Sequence, residues 1–228
     1  MKRIAEVLST LIILVMFLSS PAAAANAQGF SWATSSGDKV YYQFTADVPS
    51  SFISMDERTY LLMPDPDALP SWINFWSDIP YIAIDMRYDN GTSVGFLLLL
   101  FLGLLTFGGR FVVPIGSWDW LTRLAERIPE GHPNTTFVDN SAYWGMKLAL
   151  VSSGKMNTLE ASYLKSDGVM ARYSHVVTDI ASSTKESEVS LVRESLPNDI
   201  IVTLQDNMLY IGVAVLLLVV AVTCRKTK

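Results

Sequence analysis

The side chains of this 228-residue chain that could do chemistry are few and widely spaced. There are two histidines, His132 and His175, and one cysteine, Cys224. A nucleophile needs a base within hydrogen-bond reach, and that base needs an orienting acid. The one such constellation that can be drawn joins His175 to Glu160 and a serine across a hairpin at Ser166-Asp167-Gly168. A two-residue turn places Glu160 opposite His175, a three-residue turn places Leu159 there, and the sequence leaves that register open. His132, within Glu130-Gly-His-Pro-Asn134, reads as an exposed loop residue. There is no His-Glu-x-x-His pair, no phosphate-binding glycine loop and no dinucleotide fingerprint. A single cysteine excludes an internal disulfide and a cysteine-based zinc site. Asp65 and Asp67 lack the spaced oxygen ligands of a calcium loop. No catalytic residue, metal ligand or cofactor is assigned, and an enzyme ranks third among the function classes.

The ends of the chain say where it sits. Residues 208–224, which begin at Met208 and end at Cys224, carry no charge, no proline and one glycine, and Arg225, Lys226 and Lys228 follow. That length is at the lower end of the ~17–25 residues that cross a bilayer core as a helix. The basic tail marks the cytoplasmic side. At the other end, Lys2 and Arg3 precede an apolar core over residues 7–18. Ala23-Ala24-Ala25 and Ala25-Asn26-Ala27 both satisfy the small-x-small cleavage rule of a secretory leader. The expected layout is a signal peptide over 1–27, an extracellular domain over 28–196 and a juxtamembrane tether over 197–207. A transmembrane helix over 208–224 and a cytoplasmic tail over 225–228 complete a single-pass, type I arrangement.

Taking the five basic residues and one glutamate of the two termini from the 17 basic and 22 acidic residues leaves the middle near −9. Nucleic acid, which needs a basic face, is thereby disfavoured. Within that middle, residues 39–47 (KVYYQFTAD), which follow the turn Gly37-Asp38, read as a strand. So do residues 57–63 and 81–88, separated by a loop with three prolines between Pro64 and Pro70. Asp89-Asn90-Gly91-Thr92 is a hairpin signal. Asn90 and Asn134 also head glycosylation sequons. Ser117 is a good N-cap for an amphipathic helix to Ile128, with Asp119 at its positive end. Strands are expected over 142–151, 158–165, 169–178 and 187–194, and residues 200–204 either extend the sheet or belong to the tether.

Residues 94–107 (VGFLLLLFLGLLTF) are apolar on every face, which excludes a surface helix. As a helix they would measure about 21 Å, short of a ~30 Å bilayer core. A crossing here would also reverse the terminal anchor and put its basic tail outside. The preferred reading is a buried element, ahead of a lipid-binding or membrane-dipping segment and a second span. Phe96, Leu98, Phe101, Leu105 and Phe107 are the candidate ligand-contacting residues.

Residues 29–38, Pro114-Ile-Gly-Ser-Trp118-Asp-Trp120-Leu121 and Tyr163-Leu-Lys-Ser-Asp167-Gly168-Val169-Met170 resemble archaeal surface proteins of the choice-of-anchor type. These are common in Asgard-group archaea, and the chain looks like the choice-of-anchor S family among them. The resemblance implies an exported domain ending in a membrane anchor. It carries over no catalytic residue.

The expected fold is α+β. It is a curled antiparallel sheet, an open barrel like the lipoprotein carriers, closed over the apolar segment and one amphipathic helix. The leading functional expectation is a surface-anchored, non-enzymatic module whose apolar interior holds lipid or another hydrophobic ligand. The alternative is a structural or interaction subunit of a cell-surface membrane complex, with a protein partner. The third is a hydrolase of unknown type.

Overall fold

The computed structural model describes residues 25–49, 53–94, 110–127 and 135–213. Residues 1–24, most of the apolar run at 94–107, His132, Asn134 and residues 214–228 lie outside the described residues. Eight strands form one antiparallel sheet: β1 (Lys39–Val48), β2 (Ile53–Leu62), β3 (Asp85–Tyr88), β4 (Thr135–Asp139), β5 (Tyr143–Ser152), β6 (Lys155–Leu164), β7 (Met170–Asp179) and β8 (Lys185–Arg193). Their order is β3-β2-β1-β8-β7-β6-β5-β4, so the sheet is not closed and β3 and β4 are its edges. Among the described residues the helices α1 (Trp118–Ala125) and α2 (Asp199–Asp206) accompany it.

Alternation explains which face is buried. Along β1, Val40, Tyr42, Phe44 and Ala46 point inward while the residues between them are more exposed. The matching inward rows of β5, β6 and β8 supply Trp144, Met146 and Leu148, then Leu159, Ala161 and Tyr163, then Val189 and Leu191. A second layer covers this face. It contains Phe30 and Trp32, Ile73, Ile79 and Ile82, the stretch from Phe111 to Val113, and Leu121, Leu124 and Ala125 of α1. Irregularities between Ser162 and Tyr163 and between Val177 and Thr178 are where β6, β7 and β8 shift register.

The layers meet most closely at Gly168, in the turn between β6 and β7. Its φ is +70°, and a Cβ there would lie 2.0 Å from the Val113 carbonyl oxygen. Only glycine lets Val113 donate its N–H to the Gly168 carbonyl at 2.9 Å.

Several expectations change. The strand foreseen over 81–88 is β at Asp85–Tyr88 only, because Ile79 and Ile82 pack into the second layer and hold the chain out of the sheet. Residues 199–206 do not add a strand to the sheet. They form α2, capped by Asn198, whose side chain accepts from the Ile200 N–H. This helix docks on the outer face through Val202, which packs with Tyr143, Leu164 and Ala171. The Arg172–Asp199 ion pair at 3.1 Å and a 2.7 Å bond from the Ser141 N–H to Asp206 Oδ1 fix its two ends. The fold also begins earlier than residue 28. The Asn26 side chain accepts from the Gln28 and Phe30 amides, both at 3.0 Å, and donates to the Pro70 carbonyl at 2.9 Å. Ser117 precedes α1 without a side-chain cap bond, although Asp119 does occupy the first turn. Among the described residues no helix is long and apolar enough to cross a membrane.

Candidate functional site

The register removes the catalytic sketch. Leu159 faces His175, and Glu160 faces Ser174. Successive side chains on a strand point to opposite faces, so His175 projects inward and Glu160 outward. They cannot share a proton. Glu160 lies 3.9 Å from Lys147 on the outer face. His175 is half-buried, its Nε2 is 3.4 Å from Asn157 Oδ1, and burial lowers its pKa below the ordinary histidine value. Among the described residues no group of His, Cys, Asp and Glu is placed to hold a metal ion.

Of the other residues singled out by sequence, Phe96, Leu98, Phe101, Leu105 and Phe107 lie outside the described residues, as does Asn134. Asn90 is exposed in the turn after β3. Its side-chain oxygen accepts from the Thr92 N–H at 2.9 Å and the Thr92 hydroxyl at 2.6 Å, so the sequon is a compact surface turn.

Two open hollows mark the surface. One, about 450 Å³, lies at the β2–β3 edge between Met55, Glu57, Arg58, Tyr88, Asp89 and Thr92. The other, about 250 Å³, separates α2 from the sheet and includes Tyr143, Glu160, Ser162 and Arg172. The arginine of each is already paired. Arg58 meets Asp89 at 3.1 Å and Glu194 at 2.6 Å, and Arg172 meets Asp199.

Arg110 is different, and sequence reading passed over it. It is only 8% exposed and sits within the second layer, where no described carboxylate pairs with it. Nη1 donates to the Pro80 carbonyl at 2.8 Å and Nη2 to the Trp76 carbonyl at 3.1 Å. The guanidinium carbon is 5.7 Å from the centre of the Trp76 ring. The backbone carbonyl of Arg110 accepts the Tyr163 hydroxyl proton at 2.7 Å, so that tyrosine is committed as a neutral donor. Burial pulls the arginine pKa below its ordinary value, with nearby Tyr163 and Tyr81 pushing the other way. Two buried N–H donors here lack an acceptor, Arg110 Nε and Trp76 Nε1.

A buried charge normally comes with an opposite charge, because an uncompensated one costs several kcal/mol, about 3–5 when a partner is removed. Two carbonyl dipoles and an aromatic face meet part of that demand. The remaining donors suit an oxygen acceptor, either an ordered water or the anionic end of a ligand. The arrangement offers recognition of an anion beside apolar surface. The sequence signal was present in outline, since Arg110 ends a charge-free stretch that begins after Asp89.

No protein-family model, curated protein or solved structure matches this chain.

Proposed function

We propose that this chain is an exported, membrane-anchored, non-enzymatic binding module that holds an anionic amphiphile, a lipid or fatty acid, against the inner face of its sheet. On this reading the open sheet is curled in the manner of lipoprotein carriers. The leader exports the domain, residues 208–224 anchor it, and Arg225, Lys226 and Lys228 stay in the cytoplasm. The resemblance to choice-of-anchor S surface proteins fits the same layout.

The observation that carries the reading is Arg110. A desolvated guanidinium with an orphan donor and no described carboxylate stands beside aromatic and aliphatic side chains. An amphiphile satisfies both halves of that environment, its anionic head meeting the cation and its chain the apolar face.

The rival reading, an interaction subunit of a surface complex, draws on the dense filling around Trp144, where Trp76, Trp118 and Tyr163 all lie about the same ring. The two separate on purification. Solvent extraction of the full chain, released from membranes in a neutral detergent, should yield one class of acidic lipid in near-stoichiometric amount. A chain free of such lipid that co-purifies with a fixed protein partner would favour the rival.

A further inference from the structure

Three large aromatic side chains within ten residues face solvent. Trp72 is 53% exposed, Phe75 59% and Tyr81 58%. Their exposure is held in place. The Trp72 ring meets Trp120 edge-on at 6.4 Å, and Asp78 Oδ2 accepts the Phe75 N–H at 2.9 Å. The Asn74 carbonyl accepts from Arg127 at 3.1 Å, and the Pro80 carbonyl from Arg110. A soluble surface rarely keeps such a patch without use for it.

The patch lies at the end of the sheet from which the chain departs. Trp120 belongs to α1, whose Thr122 hydroxyl accepts from the Trp144 indole at 2.8 Å. Trp118 of the same helix lies under the Lys165 ammonium, and the Lys165 N–H donates to the Ala142 carbonyl. One residue away, Ser141 holds Asp206, the last residue of α2. Beyond it the chain is helical again to residue 213, and Met208, Leu209 and Tyr210 are exposed. Ile200, Leu204 and Met208, four apart and all exposed, extend an apolar stripe back along α2.

We propose that the cap bearing Trp72, Phe75 and Tyr81 rests in the headgroup layer of the bilayer that holds residues 208–224, so that the domain is seated on the membrane. This rests on the anchor reading. Aromatic side chains with an apolar body and a polar edge favour that layer. The segments that bear the cap carry charges of both signs, Asp65, Asp67, Asp78 and Asp119 with Arg123 and Arg127. Seating therefore needs no anionic lipid and does not weaken with salt.

The test uses the full chain in nanodiscs of phosphatidylcholine, either plain or brominated near the top of the acyl chains. Bromine should quench a component of the wild-type tryptophan emission that W72F lacks, equally in low and high salt. W72F alters a half-exposed side chain, and an unchanged near-UV circular dichroism spectrum checks its fold. A chain retained in the discs but quenched to the same extent in wild type and W72F overturns the seating and leaves the anchor standing. A chain that does not enter the discs overturns both. Two copies per disc that separate on replacing Trp72 and Phe75 by serine would mean a second copy covers the cap, which also overturns the proposal.

Discussion

Trp144 joins the sheet to its covering layer, and its replacement reads the strength of that joint. The side chain is fully buried. Its Nε1 donates to Thr122 Oγ1 at 2.8 Å, and the rings of Trp76, Trp118 and Tyr163 lie 6.2, 6.0 and 5.8 Å away. Trp→Ala in a packed core costs about 3–5 kcal/mol, and aromatic pairs add ~0.5–1.5 kcal/mol each beyond area. The upper part of that range applies, near 4–5 kcal/mol, against a total stability of roughly 5–15 kcal/mol. Trp144→Phe keeps most of the apolar bulk and loses one hydrogen bond, about 1 kcal/mol. Thr122 retains its own bond to the Trp118 carbonyl at 3.1 Å, so its hydroxyl donor is not orphaned. With ~2–4 °C of Tm per kcal/mol for a chain of this size, W144A should melt roughly 8–20 °C lower and W144F only a few degrees lower. Thermal unfolding of the full chain in neutral detergent, followed by near-UV circular dichroism, measures both. A W144A Tm within about 2 °C of wild type would refute the two-layer core.

Asn26 makes three side-chain bonds within the fold, so on the proposed export reading cleavage is expected after Ala25 rather than after Ala27. N-terminal sequencing of the exported chain should begin at Asn26, and a chain starting at Gln28 should melt lower. His175 has a pKa lowered by burial, so the folded state binds fewer protons than the unfolded state just below the ordinary histidine value of about 6.5. Its contribution is therefore intact above pH ~6.5 and is lost as pH falls through the lower folded pKa. His175→Gln should flatten the part of the Tm–pH curve lying below about pH 6.5, and an unchanged slope there would count against the buried neutral imidazole.

Much of the sheet could be read from sequence, because alternation over ten residues leaves few alternatives. β1 follows its turn as expected, and β5 to β8 fall within a few residues of their anticipated bounds. Register was harder. Counting turn residues cannot reveal the irregularity between Ser162 and Tyr163, which shifts the β6–β7 pairing by one and helps decide which face His175 takes. The apolar alternation from Tyr81 to Ile84 misled because an irregular covering segment can bury Ile79 and Ile82 without any strand. The Asn198-Asp199 cap ahead of α2 was legible, but the apolar residues from Ile200 to Leu204 admitted a strand as well. β4 was missed although Thr135 to Asp139 is rich in β-branched residues, and it begins directly after the stretch Glu130 to Asn134 that was read as a loop. The charge-free run ahead of Arg110 pointed to it, but its burial could not be read locally. Burial of a cation is decided by Trp76, Pro80 and Tyr163, far away in the chain.

The most direct test of the amphiphile site is native mass spectrometry of the full chain in neutral detergent, offered oleate or its methyl ester. The two ligands share a tail and differ in the charge that Arg110 would meet. A charge-assisted hydrogen bond worth about 1.5–3 kcal/mol corresponds to roughly 10- to 100-fold in affinity. Wild type should therefore take up one oleate and prefer it over the ester by that margin, while Arg110→Gln loses the preference and Arg110→Lys keeps part of it. Equal binding of acid and ester, or oleate binding that survives Arg110→Gln unchanged, would contradict the site.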